Sequence, residues 1–391
     1  MTAGTAANGG IRAALPSSGI LLPEIDGMRA FAAFTVLMCH ALLGTKWAPV
    51  WLIALQDGGL GVEFFFVLSG FLLFLPFASA YYESRDTPSL KYYAVRRVLR
   101  ILPAYYISLG LVLLFVHPEA FATGAGRRAI LAHLTMTFSF SLSTLDVFNP
   151  VYWTLAVEEQ FYFLLPIAAL LFCRRLGRLY VLLSLVASHL FVIGFNHYFP
   201  GHEYLLSASL PFRWDAFAFG ILVCLGFLER RKAPGRAAAK PWVFAPLAVA
   251  GIVIPHVAVA LQLYGLFGSG YLLSLVIEAF GYALLLWATL LGPRWLGFPW
   301  RWKPVRYLGL LTYSMYLWHW QVSEQVRALT TPPTGPRTTA VRIATVFLFT
   351  VIVAGTSYFL VEKPFMALRK RFKEPGRSRS AGAAAKSASS L

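Results

Sequence analysis

Apolar stretches of about 20 residues, the length a helix needs to cross the hydrocarbon core of a bilayer, recur along the chain between short polar interruptions. Ten such windows are predicted, near residues 28–46, 60–80, 100–117, 153–173, 178–197, 214–228, 241–263, 271–291, 307–327 and 341–361. The segment 129–144 is apolar but short and rich in Ser and Thr, so it is expected at the interface or as a re-entrant stretch. The pattern specifies an all-α fold, a polytopic transmembrane helical bundle of about ten spans. Residues 1–22 read as a disordered N-terminal tail, 23–365 as one membrane domain and 366–391 as a basic, disordered C-terminal tail attracted to anionic lipid.

Composition agrees with that reading. Hydrophobic residues make up 58% of the 391 and charged residues 13%, whereas soluble domains carry about 25% charged residues. The net charge of +17 would suit nucleic acid only on a soluble fold with a recognition element, and none is visible. The basic residues gather instead in alternate loops. One set holds Arg85, Lys91, Arg96 and Arg97; Arg174, Arg175 and Arg178; Arg230, Arg231, Lys232, Arg236 and Lys240; Arg294, Arg301, Lys303 and Arg306; and the tail beyond Lys363. The opposite loops hold little beyond Lys46, Arg127, Arg128, Arg213 and Arg337. By the positive-inside rule both termini are expected in the cytoplasm, and an eleventh span is disfavoured. The protein is expected in the cell (inner) membrane.

Cys39, Cys173 and Cys224 are isolated in or beside apolar runs, without the paired spacing of a metal site or a disulfide framework. No metal is expected. The first 20 residues lack the ordered parts of a cleaved secretory signal, so the first span is expected to stay in place.

Ionisable groups inside spans are costly and therefore become functional candidates. Arg29 opens the first span and His40 follows eleven residues later, about 16 Å along a helix. Arg29 then lies near the cytoplasmic face and His40 beyond the midplane. Glu63 is placed near the outer end of the second span. Glu158 and Glu159 lie one to two turns into the fourth, where adjacent positions cannot share one helix face. Arg213 and Asp215 stand at the outer end of the sixth, and His319 in the ninth falls at nearly the depth of His40. Helix order, and hence contact, is not readable from this pattern.

These residues carry a resemblance. The chain resembles the integral-membrane acyltransferase-3 family of O-acyltransferases over nearly all its length. The match rests on the Arg29–His40 spacing, the run Gly61 to Phe71, Arg97-Val98-Leu99-Arg100 followed by Pro103 and Tyr105, and the run Trp153 to Tyr162. Arg213 with Asp215, Tyr313 to His319, and Val361-Glu362-Lys363-Pro364 complete it. Glu63 replaces a common Asp, and Ala156 stands where Ser is frequent. Some relatives add an extracytoplasmic hydrolase-like domain, and this chain looks like the stand-alone form.

The resemblance implies transfer of an acyl group, commonly acetyl, from acyl-CoA to a hydroxyl of a sugar, polysaccharide, glycolipid or small natural product. Acyl-CoA is then a substrate, and no permanently bound cofactor is expected. It also implies that Arg29 and His40 matter and that Arg97 and Arg100 serve the donor.

Hydroxyl attack on a thioester needs a base, stabilisation of the oxyanion and a seat for the CoA phosphates. His40 is the natural base, because neutral imidazole accepts a proton near pH 7; the bland alternative is a satisfied core histidine. Glu158 or Glu159 is expected to orient His40, against the alternative of a helix–helix hydrogen bond. His319, grouped with Arg213 and Asp215, is a candidate for holding the acceptor, although its Trp-rich surroundings also suit an interfacial belt. Arg29, Arg97 and Arg100 are the donor-binding candidates; ordinary topological anchoring is the plainer reading of the arginine pair. The competing function is a transporter or flippase of a glycan or acylated compound. It is weakened by the lack of an internal repeat or of symmetric Gly and Pro breaks.

Overall fold

The computed structural model describes residues 20–46, 59–232, 241–263 and 271–372. Most of both expected tails, with Arg236 and Lys240, lies outside the described residues. Eleven helices organise the rest: α1 Pro23–Leu42, α2 Gly59–Tyr82, α3 Leu90–Phe115, α4 Gly124–Leu134, α5 Trp153–Phe172 and α6 Gly177–Tyr198. They continue with α7 Leu210–Lys232, α8 Pro241–Leu263, α9 Tyr271–Leu291, α10 Lys303–Leu329 and α11 Pro336–Ser357. A π turn at Tyr358–Glu362, a short helix Lys363–Leu368 and a turn Arg369–Arg371 carry the helical body into the segment read as a tail.

Among the described residues, nine helices are long and apolar enough to cross a membrane, and the protein is an integral membrane protein. The ninth expected span, 307–327, lies within α10, which is 27 residues long but falls outside that group. Its reason is its position. It packs between α1 and α11 and buries Thr312, Ser314, His319 and Ser323, so its polar side chains meet protein rather than lipid. α4 has 11 residues, too few to span, as expected for that stretch.

Two boundaries change the reading. α1 begins at Pro23, with Pro at the first helical position and Glu24 and Asp26 in the first turn, both favourable at a helix N-terminus. α3 begins ten residues before the expected start, where Ser89 caps it by accepting from Tyr92 N. Arg97 and Arg100 therefore lie two to three turns inside the helix rather than at its mouth.

Close helix contacts fix the core. Gly70 of α2 lies against the Phe217 backbone of α7, and Gly220 against Val67. A Cβ at Gly220 would meet Val67 O at 2.1 Å, so only glycine lets these helices approach this far. Phe66 stacks on Phe217, which stacks on Phe161 of α5 with centroids 4.1 Å apart. α6, by contrast, exposes Leu182, Leu183, Val186, Leu190, Phe191 and Ile193. An apolar face of that extent on a membrane protein is a lipid contact.

The basic loops α2–α3, α5–α6 and α9–α10 share one end of the bundle with the start of α1, here the basic end. The connector 116–152, with α4, lies at the far end.

Candidate active site

α1 runs from the basic end to the far end and packs along α10, so residues at matching depth meet. His40 and His319 do: His40 Nδ1 lies 3.0 Å from His319 Nε2, with ring centroids 4.9 Å apart. His319 is buried and His40 half-buried. His319 Nδ1 lies 2.7 Å from Tyr316 O and 3.2 Å from Met315 O, and His40 Nδ1 lies 3.1 Å from Val36 O. The Trp320 and His40 rings meet edge to face, with centroids 5.1 Å apart. Tyr316 is anchored in turn: its hydroxyl donates to Val151 O at 3.1 Å and accepts from Thr154 at 2.9 Å. Asn149 donates to Leu317 O at 3.2 Å and to Gln321 Oε1 at 3.0 Å. These bonds tie the far-end connector to the helix that carries His319.

The connector is held by buried rings. His133 is fully buried, its ring stacked on Phe138 at 4.3 Å. Its Nδ1 donates to Ala129 O at 2.9 Å. Burial pushes its pKa down to about 4, so the ring is neutral at pH 7.

Arg29 is the seventh residue of α1. Arg29 lies within electrostatic range of Arg100, Glu158 and Asp26, and Arg100 within range of Glu362 and Arg369. Arg29, Arg97 and Arg100 make no ion pair with a carboxylate among the described residues. The neighbouring carboxylates are engaged elsewhere. Glu24 pairs with Arg301, Asp26 with Arg306 at 3.5 Å, and Glu362 with Ser314. Arg97 lies over the rings of Tyr93 and Tyr162. Leu72, Pro76, Tyr92, Tyr93, Arg96 and Arg97 line a cleft beside it.

The expected orientation of His40 by Glu158 or Glu159 is corrected. Glu158 accepts from Ser69 at 2.9 Å and from Tyr162 at 2.8 Å, and Glu159 has electrostatic neighbours in Tyr105, Tyr106 and Glu158. The reason is helix order, because α5 packs on α2, α6 and α7 rather than along α1. Glu158 belongs with the guanidinium cluster. Arg213 and Asp215 also stand apart from the imidazole pair. Arg213 donates to Glu63 at 2.7 Å and lies over Trp153, while Asp215 faces His189 at 3.6 Å. His319 is brought directly onto His40. Asn149 and Gln321, given no role from the sequence, and Tyr316, quoted only within the run Tyr313 to His319, brace it; the signal for Asn149 was the Asn149-Pro150 turn just ahead of the Trp153 run. No group of three or more His, Cys, Asp or Glu side chains is placed to hold a metal ion among the described residues.

The fold is that of a helical membrane protein, with an imidazole pair toward the far end of α1 and guanidinium groups that lack a carboxylate ion pair toward the other. The chain belongs to the acyltransferase-3 family, whose acyltransferase domain matches residues 22–360. It is 26% identical over 386 residues to O-acetyltransferase OatA of Staphylococcus aureus, covering 90% of this chain and 58% of that protein. It is 27% identical to peptidoglycan O-acetyltransferase OatA of Listeria monocytogenes, with the same shares covered. It is 28% identical to putative peptidoglycan O-acetyltransferase YrhL of Bacillus subtilis, over 88% of this chain and 54% of that one. The chain thus spans little more than half the length of these relatives. No solved structure matches it.

Proposed function

We propose that the protein is a membrane O-acyltransferase that moves an acyl group, acetyl foremost, from cytoplasmic acyl-CoA to a hydroxyl of a glycan presented at the far end. The observation that carries this reading is the division of α1. Arg29 lies within electrostatic range of Arg100, which in turn lies within range of Arg97, toward the basic end, and His40 meets His319 toward the other, about 16 Å away along the helix. Unpaired guanidinium groups suit the phosphates of CoA, which they bind through charge-assisted, bidentate hydrogen bonds. Glu158 and Tyr162 border that cluster. The flexible arm between the phosphates and the thioester spans the separation, and the basic end faces the cytoplasm by the positive-inside rule. The relatives, O-acetyltransferases and peptidoglycan O-acetyltransferases by name, support acetyl as the acyl group and a peptidoglycan-like glycan as the acceptor.

In the reaction the acceptor hydroxyl oxygen attacks the thioester carbonyl carbon while His40 takes the hydroxyl proton. The C–S bond then breaks, and the proton passes to the departing thiolate. The products are an O-acyl ester and free CoA thiol. Arg213 and Asp215, braced at the far end of α7, shape the side from which the acceptor enters.

The test is an assay of the purified protein in detergent with labelled acetyl-CoA and a soluble peptidoglycan oligosaccharide. Transfer yields base-labile label on the glycan and an equal amount of free thiol. An intact thioester in the presence of well-folded protein overturns the reading and leaves transport.

A further inference from the structure

The hydrogen-bond partners of the two rings determine where the protons of the imidazole pair sit. A carbonyl oxygen only accepts hydrogen bonds. His319 Nδ1 faces the carbonyls of Tyr316 and Met315, at 2.7 and 3.2 Å, so Nδ1 carries the proton. In a neutral ring Nε2 is then a bare acceptor. A doubly protonated His319 is disfavoured at 2% exposure, since a buried cation without a carboxylate is costly.

His40 Nδ1 faces two acceptors, Val36 O at 3.1 Å and His319 Nε2 at 3.0 Å. It therefore holds a proton shared between them, and His40 Nε2 is left with its lone pair. The charged groups facing this pair are few. Arg327, on the same helix as His319, is paired with Glu324 and lies over Trp320; Arg342 of α11 donates to Leu43 O and Thr331 O. Neither supplies an anion to His40.

We infer that His319 is a positioning residue: through its Nε2 it accepts the Nδ1 proton of His40, orients that ring, and stabilises the His40 imidazolium formed during transfer. This rests on the proposed acyl transfer and assigns His319 a role other than holding the acceptor. The proton of the attacking hydroxyl moves to His40 Nε2, and the Nδ1–H bond to His319 strengthens as positive charge develops. Proton and charge return when the thiolate departs. His319 itself exchanges no proton. It occupies the place a carboxylate holds in a Ser-His-Asp triad, with a neutral acceptor in place of an anion, which suits a membrane interior where a fixed charge costs more.

Three variants of the full chain separate this role from a structural one. His319→Gln places an amide oxygen near the position of Nε2. His319→Asn keeps a donor for Tyr316 O but is too short to reach His40. His319→Leu removes both functions. With labelled acetyl-CoA and the glycan oligosaccharide, kcat is expected to fall about 10²-fold in the Asn and Leu variants, with donor and acceptor KM within about twofold of wild type. The Gln variant is expected to recover about tenfold of that loss. Equal kcat in the Gln and Asn variants, or a rise in acceptor KM at unchanged kcat, overturns the inference. Should the Leu variant fail to fold, the Gln and Asn comparison decides alone. The two failures are distinguishable: an inactive wild type sinks the acyl-transfer reading, whereas an active wild type, an inactive His40→Gln and a fully active His319→Asn sink only the role of His319.

Discussion

Arg213 of α7 donates to Glu63 of α2 at 2.7 Å, with the two side chains 6% and 1% exposed. Arg213 also donates to Ser207 O and lies over Trp153 at the start of α5, so one guanidinium joins three segments at the far end of the bundle. Removing the carboxylate deprives a buried cation of its hydrogen-bonded counter-charge and leaves the more distant Asp215 carboxylate within electrostatic range. Glu63→Leu is expected to cost about 3–5 kcal/mol of stability, whereas Glu63→Leu with Arg213→Met, which replaces the pair by apolar side chains, recovers most of it. Thermal unfolding in detergent measures both. Equal stability of the single variant and wild type would show that the ion pair is not what holds these helices.

A pH dependence follows from His133. Its folded pKa, pushed down to about 4 by burial, lies below the ordinary value near 6.5. Between those values the unfolded chain binds a proton that the folded one does not, so stability rises with pH. The contribution is complete above about pH 6.5 and is lost as pH falls toward 4, amounting to about 3 kcal/mol at the acid end. His133→Phe, which keeps a ring against Phe138, is expected to flatten the fall in Tm between pH 7 and pH 5. A wild-type Tm that is constant over that range contradicts the account.

The donor cluster gives a binding prediction. Arg97→Ala with Arg100→Ala is expected to weaken CoA binding at least tenfold, each charge-assisted hydrogen bond contributing about 1.5–3 kcal/mol. Insertion should persist, because Lys91 and Arg96 keep the loop basic. Calorimetric titration of the purified variant with CoA reads the effect, and unchanged affinity would leave both arginines to topology.

Sidedness is tested by thiol labelling in intact cells. Ser143 lies in the exposed part of the far-end connector and Arg231 at the exposed basic end of α7. Cys39 and Cys224 are buried and Cys173 half-buried, so a Cys173→Ala background suffices. An impermeant reagent is expected to label Ser143→Cys directly and Arg231→Cys only after permeabilisation. The reverse pattern inverts the topology.

The spans were legible because their signal, sustained apolarity, is local. α10 shows the limit of that signal. It packs between α1 and α11 and so carries buried polar groups of its own, and its role depends on neighbours that hydropathy does not name. The start of α3 was missed because Tyr92, Tyr93, Arg96 and Arg97 precede the apolar run, while the Ser89 cap that begins the helix is a single residue. The site was legible in part. Counting along the first and ninth spans put His319 at nearly the depth of His40, but contact required helix order, which periodicity does not contain. The same gap explains Glu158. Its depth suggested His40, yet α5 packs on α2, and the carboxylate meets Ser69 and Tyr162 instead.

The central claim is that His40 is the base of an acyl transfer, and His40→Gln tests it most directly. Glutamine hydrogen-bonds but does not take up the proton at neutral pH. Single-turnover transfer from labelled acetyl-CoA to a peptidoglycan oligosaccharide is measured for wild type and variant, with CoA binding as the check on fold. Transfer is predicted to fall at least about 10³-fold while CoA affinity is unchanged. Transfer within about tenfold of wild type by a His40→Gln protein that still binds CoA would contradict the account and place the base elsewhere.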